Sequence, residues 1–358
     1  MRFIKLSYSL LMLVVCTSCG GQTTTNPPPQ KARSANYTEA QLQEADTSRV
    51  PMSMVRHVRL ARNGDILIAS YLGVFRYDAR LNDEVGQGTS FTNLTREIVP
   101  PRLSSFWDAL EDRNGNLWLA SKDSGLYCIR GYGLSVGTGR PAKTEVQHFT
   151  TKDGLDTNTM LHIYEDKAGN LWFGSTLYDG KTFRTLTTRD GYPVNHIRLL
   201  LEDSTGKRWF GAQQEDLFVF DGKTFTVLKD SDGKPFNNVW SVIEDKKGNI
   251  WFGADGLWRY DGRKFIHASP RGAYAIIQDR KGNIWTTGPV DSKVWAFTRY
   301  DHQSLYDNHP AFTEIKSGRP MDFLDLVEAT DGSIWFSSSR GVHRYDGHTL
   351  TDFKTVNP

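Results

Sequence analysis

The sequence contains a repeated segment with a Glu at the same place in most of its copies. The residues best suited to bind a ligand lie four residues before this Glu position. Aromatic or basic side chains fill this earlier position five times, at Arg56, Trp107, Arg198, Trp240 and Tyr274. Aromatic rings stack on planar or ring-shaped ligands, and guanidinium groups donate hydrogen bonds to their polar atoms. If these side chains converge, they predict a site for a sugar or another polar, partly planar ligand.

Short polar side chains recur two residues earlier and would fix the hydroxyl groups of such a ligand. From these we select His196, Asn238 and Asp322, and we predict that they bind ligand together with Trp107, Arg198, Trp240 and Tyr274. The alternative is that the three aromatic side chains only fill space between neighbouring sheets.

The sequence offers no catalytic set or metal motif that occurs only once. Glu-Asp pairs occur four times, each at the entrance of a hairpin, which favours a role in satisfying turn amides. The nine histidines form no HxH or HExxH pattern, so we predict no catalytic residue, no metal and no cofactor. The alternative is a lyase or hydrolase that uses His196, Arg198 and Asp322 at the same site.

One structural unit is repeated seven times along the chain. Segments such as EDRNGNLWLAS, EDKAGNLWFGS and EDKKGNIWFGA align on a turn glycine from Gly64 to Gly332, with a mean period of about 45 residues. Six tryptophans occupy the same place in the unit: Trp118, Trp172, Trp209, Trp251, Trp285 and Trp335. This period predicts a repeat architecture rather than two ordinary domains.

Each unit reads as four short strands joined by tight turns. In the fifth unit we predict strands over 238–245, 250–254, 256–261 and 263–269. Strand cores such as IWFGA are apolar on consecutive positions, so both faces of the sheet must be covered. Radial packing of the sheets achieves this, and the sequence therefore predicts an all-β, seven-bladed β-propeller over residues 49–358. An open stack of the same sheets is the competing architecture.

The repeats EDxxGNxWFG, GLxRYDGxxF and DGLxxN resemble the two-component regulator propeller repeat. The third of these includes Asp153, Gly154, Leu155 and Asn158. The resemblance implies a periplasmic sensor propeller, a region that in this family often belongs to hybrid histidine kinases responding to oligosaccharides. This chain holds one propeller and no kinase sequence, so we expect binding or sensing rather than phosphotransfer.

The first residues have the layout of an export signal. Arg2 and Lys5 precede an apolar stretch that is too short to span a bilayer. The small residues before Cys19 resemble the lipobox of bacterial lipoproteins, which implies a signal peptide over 1–18, lipidation of Cys19 and a flexible tether over 19–48. The alternative is a plain signal peptide cut nearby. We expect a lipid-anchored protein of the bacterial cell envelope, periplasmic or surface-facing.

Composition narrows the class of partner. Lys+Arg total 43 against Asp+Glu 41, and mean hydropathy is −0.49, so there is no basic excess of the kind that binds nucleic acid. Membrane contact is expected through the lipid anchor only. We therefore predict a non-catalytic binding or sensing module whose partner is an oligosaccharide or an envelope protein. A third possibility is a purely structural surface in an envelope complex.

Overall fold

The computed structural model describes residues 50–79, 90–96, 105–135, 145–211, 214–290, 294–315 and 322–353. They form seven four-stranded antiparallel sheets that pack side by side as the blades of a ring. The predicted seven-bladed propeller is confirmed. The signal peptide, Cys19 and the tether lie outside the described residues. None of the helices in the described part of the chain is long and apolar enough to cross a membrane.

Within each blade the strands follow chain order from the channel outwards. Blades 1 to 4 consist of β1 Val55–Leu60, β2 Ile66–Ser70, β3 Gly73–Tyr77 and β4 Phe91–Asn93; β5 Phe106–Glu111, β6 Leu117–Ser121, β7 Leu126–Ile129 and β8 Val146–Phe149; β9 Ile163–Glu165, β10 Leu171–Phe173, β11 Thr176–Tyr178 and β12 Phe183–Thr185; and β13 Arg198–Glu202, β14 Arg208–Gly211, β15 Phe218–Phe220 and β16 Phe225–Val227.

Blades 5 to 7 consist of β17 Val242–Glu244, β18 Ile250–Gly253, β19 Leu257–Tyr260 and β20 Phe265–Ser269; β21 Ala275–Gln278, β22 Ile284–Pro289, β23 Trp295–Tyr300 and β24 Phe312–Ile315; and β25 Phe323–Glu328, β26 Ile334–Ser338, β27 Gly341–Tyr345 and β28 Leu350–Asp352. A four-residue helix, α1, spans Tyr132–Ser135, and short 3-10 turns span Thr151–Asp153 and Thr188–Asp190.

The apolar core is divided among the interfaces between blades. Each of the seven hydrophobic clusters in the described residues joins side chains of two neighbouring blades, as where Trp118 of blade 2 packs with Phe173 of blade 3. The middle strands β6 and β26 are buried along their whole length. A single blade would expose both apolar faces, so the blades are stable only when packed together.

The Asp of each Glu-Asp pair organises its own hairpin, as predicted. Asp112 Oδ1 accepts hydrogen bonds from the backbone N–H groups of Asn114 and Asn116, at 2.9 and 2.8 Å. Asp112 Oδ2 accepts the indole N–H of Trp118 at 2.9 Å. The same Asp–Trp bond recurs in four further blades. The recurring tryptophan is therefore buried with its N–H satisfied, as buried polar groups require.

The Glu of the pair joins neighbouring blades, a role that the sequence did not reveal. Glu165 of blade 3 accepts the backbone N–H of Arg113 in the blade 2 hairpin at 3.1 Å and its Nε at 2.7 Å. We call this contact the hairpin latch. It recurs with these pairs, the donor named first: Arg62 and Glu111, Lys167 and Glu202, Ser204 and Glu244, Lys246 and Gln278, Arg280 and Glu328.

The interface between blades 7 and 1 closes the ring by different contacts. Leu60 stands where the other blades carry Glu or Gln, and it is 42% exposed. Here Asp325 Oδ2 accepts the N–H of Val58 at 3.1 Å, and Phe353 of blade 7 packs edge-on against Phe91 of blade 1, with ring centroids 5.2 Å apart. Both sheets consist of consecutive strands, so no strand is exchanged among the described residues.

The predicted strands of the fifth unit are confirmed, but the innermost one is shorter than expected. It spans Val242–Glu244, whereas residues 238–245 were predicted. Asn238 has a φ of 53°, in the left-handed region that interrupts a strand. His196 holds a similar φ of 58° at the equivalent position of blade 4.

Candidate functional site

The central channel contains a cavity of about 410 Å³. The residues four before the repeated Glu position contribute to its wall in all seven blades: Arg56, Trp107, Leu161, Arg198, Trp240, Tyr274 and Leu324. Each of them is half-buried. The structure therefore brings together Trp107, Arg198, Trp240 and Tyr274, four of the seven residues predicted to bind ligand. Their binding role stays a prediction.

Two arginines of the cavity lie against tryptophan rings. The guanidinium carbon of Arg56 is 3.9 Å from the ring centroid of Trp107, and that of Arg198 is 4.4 Å from Trp240. Such cation–π contacts hold the planar guanidinium in place while its N–H edge stays free to bind.

The aromatic side chains of blades 5 and 6 form a short ladder. Trp240 and Tyr274 are stacked, with centroids 4.9 Å apart and planes inclined by 24°. Trp295 continues the ladder at 5.6 Å from Tyr274. Packing between blades therefore accounts for part of the aromatic surface, as the alternative interpretation expected, while Trp240 and Tyr274 still line the cavity.

Three donors in this wall are buried without a hydrogen-bond partner. They are Nε of Arg56, Nε1 of Trp107 and Nη2 of Arg198. An unsatisfied buried donor costs free energy, and native structures contain few of them. Burial also lowers the pKa of Arg198, whose charged form has lost solvent without gaining a carboxylate partner.

The three remaining predicted residues lie outside the residues that line the cavity. His196, Asn238 and Asp322 are exposed, each just before an innermost strand. Asn238 orients a residue of the wall, because its Oδ1 accepts the indole N–H of Trp240 at 3.1 Å. His196 lies 3.8 Å from the carboxylate of Asp156. The set proposed for a lyase or hydrolase, His196, Arg198 and Asp322, is therefore represented in the cavity wall by Arg198 alone.

A second polar cluster lies one residue further along the innermost strands, and the sequence analysis missed it. His57, Asp108 and His162 come from blades 1 to 3 and offer ligand atoms within 4.8 Å of one another. The two imidazole rings are parallel, with centroids 6.0 Å apart. Asp325 of blade 7 lines the same cavity.

Asp108 is saturated with hydrogen-bond donors. Nε and Nη2 of Arg59 bind its two oxygens at 2.7 and 2.6 Å, and the backbone N–H of Ile163 donates at 2.8 Å. Ala109 N donates at 2.9 Å and His162 Nδ1 lies at 3.3 Å. A carboxylate offers about four lone-pair positions, so this one has none left for a metal ion. The cluster is suited to hydrogen bonding rather than to metal binding.

Electrostatics fix the protonation states in this cluster. Burial alone would raise the pKa of Asp108, but Arg59 and His57 hold it well below its usual value, so the carboxylate is ionised. Burial lowers the pKa of His162 from 6.5 to about 4, against the opposing effect of Asp108, so its imidazole is neutral. Burial raises the pKa of Asp325, and His57 and Arg59 oppose that shift.

Hydrogen bonding also fixes the tautomers of the two histidines. Nδ1 of His57 contacts the carbonyl oxygen of Trp107, which can only accept, so Nδ1 carries the proton. Nδ1 of His162 faces the ionised Asp108 and carries its proton for the same reason. In the neutral ring of His162, Nε2 is then the acceptor, in a wall that faces the cavity.

Comparisons with known proteins identify the repeat. A sequence model described as two component regulator propeller matches residues 154–176 and 233–256, which contain the WFG motifs of blades 3 and 5. These segments are two-component regulator propeller repeats. The resemblance seen in the sequence is confirmed.

One curated relative of these propeller repeats is "Histidine kinase P4" of Formosa agariphila, 31% identical over 94 residues. The match covers 26% of this chain and 7% of the kinase, so this chain spans a small part of that relative's length.

Solved structures share the propeller fold. The extracellular domain assigned to the hybrid two component system BT3049 of B. thetaiotaomicron aligns with a TM-score of 0.63 and 16% identity, over 83% of this chain and 39% of that one. Virginiamycin B lyase of Staphylococcus aureus aligns with a TM-score of 0.58 and 12% identity, over 86% and 96%. At these identities the likeness shows the fold alone. The family of the repeats indicates a sensing or binding module.

Proposed function

We propose that this propeller is a non-catalytic module of the bacterial cell envelope that binds an oligosaccharide in its central channel. The observation that carries the proposal is the convergence of Arg56, Trp107, Arg198, Trp240 and Tyr274 on one cavity. A cavity of about 410 Å³ has the size of ordinary small-ligand sites. Its wall combines aromatic surface with two arginine side chains, which suits a hydroxyl-rich ligand with apolar ring faces.

We further propose that the chain reaches its place of action as a lipoprotein, with the signal over 1–18, lipidated Cys19 and the tether over 19–48. Sensor-type relatives of the repeats and extracellular structural neighbours support an envelope location. Replacing Cys19 by Ala should abolish the incorporation of radiolabelled palmitate into the protein in cells. Equal labelling of the variant would contradict lipidation at Cys19.

The binding proposal is tested with the purified protein and a panel of oligosaccharides, first by thermal shift and then by calorimetric titration. Trp240→Ala should weaken binding several-fold, because it removes part of the cavity wall and the surface on which Arg198 rests. Trp258→Ala is the matched control, since Trp258 is a half-buried tryptophan of the same blade that does not line the cavity.

The outcome separates a binding role from a packing role. Loss of binding by the Trp240 variant with an unchanged melting temperature supports the proposal. Equal loss of stability in both variants, with saccharide binding unaffected, shows that Trp240 is only a packing residue. If no oligosaccharide shifts the melting temperature of the unaltered protein, the glycan proposal fails and a protein partner takes its place.

A further inference from the structure

We propose that the cavity selects sugars that carry an anionic group, a carboxylate or a sulfate ester, and that Arg56 and Arg198 recognise this group. The inference rests on the proposed function and names the chemical class of its ligand. It rests on two arginine side chains that have no counter-ion among the described residues, and not on the aromatic residues.

Neither arginine has a counter-ion among the residues that the structure describes. No ion pair or hydrogen bond to the Arg56 or Arg198 side chain occurs in that part of the chain, although both line the cavity. Arg59, three residues from Arg56, is paired by two bonds to Asp108. A half-buried cation without a counter-ion is less stable than a paired one, and its place in a cavity wall points to a negative charge supplied by a ligand.

The two guanidinium groups act on the same place. Arg56 belongs to blade 1 and Arg198 to blade 4, so they extend from well-separated parts of the ring. Both guanidinium groups line the cavity that Tyr274 also lines, and both charges oppose the rise in the pKa of Tyr274 that burial causes, whereas Asp325 adds to it. The two arginines therefore share one cavity with Tyr274, in which an anionic group would be attracted by both.

The acidic residues of the wall are already engaged elsewhere. Asp108 is saturated by Arg59 and backbone donors. Asp325 accepts the N–H of Val58, and the groups that oppose the rise in its pKa are His57 and Arg59 rather than Arg56 and Arg198. Among the described residues neither carboxylate forms an ion pair with Arg56 or Arg198.

The surrounding groups suit a sugar that carries the anion. The ring of Trp107 lies beside Arg56 in the wall and offers apolar surface for a sugar ring. Nε2 of the neutral His162 is an acceptor in the wall, where it would receive a hydrogen bond from a hydroxyl group. Charge-assisted hydrogen bonds from arginine to carboxylate or sulfate oxygens are stronger than neutral ones, so the anionic group should dominate affinity.

The experiment is calorimetric titration of the purified full chain with three trisaccharides of the same linkage: neutral galactotriose, tri-galacturonic acid and a 6-sulfated galactotriose. We expect at least one acidic sugar to bind at least about tenfold more tightly than the neutral one. Which acidic sugar gains the affinity tells whether the group is a carboxylate or a sulfate ester. Raising the salt concentration should weaken the acidic sugar more than the neutral one.

Variants tie this preference to the two arginines. Arg56→Gln and Arg198→Gln should each lose about tenfold or more in affinity for the acidic sugar and little for the neutral one. Arg198→Lys should retain part of the preference, because it keeps the charge and loses the fork of donors. Arg263→Gln is the control, since it removes the same charge from an exposed hairpin outside the cavity.

Each result has a distinct meaning. Equal affinity for neutral and acidic sugars overturns this inference and leaves the proposed function standing. Absence of binding by all three sugars, together with a negative panel, overturns both. A preference that Arg263→Gln abolishes as strongly as Arg198→Gln shows a general charge effect and also overturns the assignment.

Discussion

The neutral imidazole of His162 makes the stability of the propeller depend on pH. Its pKa is about 4 in the folded protein and about 6.5 when the chain is unfolded. Between these values the unfolded state holds more protons, so stability falls as the pH falls. Between pH 7 and pH 4.5 the titration of His162 alone lowers the free energy of unfolding by about 2.5 kcal/mol. His162→Gln removes the titrating group and should remove this loss.

The assay is chemical unfolding of the unaltered protein and of His162→Gln at pH 7 and at pH 4.5. The variant should lose about 2.5 kcal/mol less than the unaltered protein over this change, whatever their difference at pH 7. Carboxylates with lowered pKa on which His162 does not act, such as Asp166, affect both proteins alike and cancel in the comparison. Equal losses in the two proteins would refute the assignment of a buried neutral His162.

Two further predictions concern the blades. Glu165→Ala should lower the free energy of unfolding by about 1–2 kcal/mol, because it leaves the N–H and Nε of Arg113 without their acceptor. Chemical unfolding measures this free energy, and the control Glu145→Ala, which alters an exposed carboxylate, should change it little. Equal effects of the two substitutions would count against the latch. Burial raises the pKa of Cys128 to about 12, so the thiol of the native protein should not react with a thiol reagent at pH 8. The unfolded protein should react completely in the same time. Prompt reaction of the native protein would show that the thiol is accessible.

The repeat made most of the fold predictable from the sequence. The spacing of Trp118 from Asp112, repeated in other blades, specifies both the turn and the indole N–H bond that stabilises it. Apolar residues on consecutive positions required packing on both faces, which only stacked sheets provide. The position four before the repeated Glu was predictable as part of the channel wall, because every innermost strand has the same register.

The second row of the wall was missed for a local reason. Successive residues of a regular strand face opposite sides of the sheet. Because Arg56, Trp107 and Leu324 face the channel, the next residues His57, Asp108 and Asp325 are expected to face away from it. The innermost strands β1, β5 and β25 carry irregularities in pairing around these residues. A bulge turns an additional side chain towards the channel, and no residue type in these strands predicts a bulge.

The hairpin latch has a direction, which bears on how the ring forms as the chain is made. Each latch is an amide of one blade accepted by a side chain of the next, so a hairpin such as that of Arg113 finds its acceptor only in the blade that follows it in the chain. We expect each hairpin to stay incomplete until the following blade has been made. Only the last step joins distant parts of the chain, through Val58 and Asp325, 267 residues apart. Removing blade 7 would leave blade 6 with an unsatisfied hairpin and blade 1 with an uncovered face, so the ring should tolerate shortening at its C-terminus poorly.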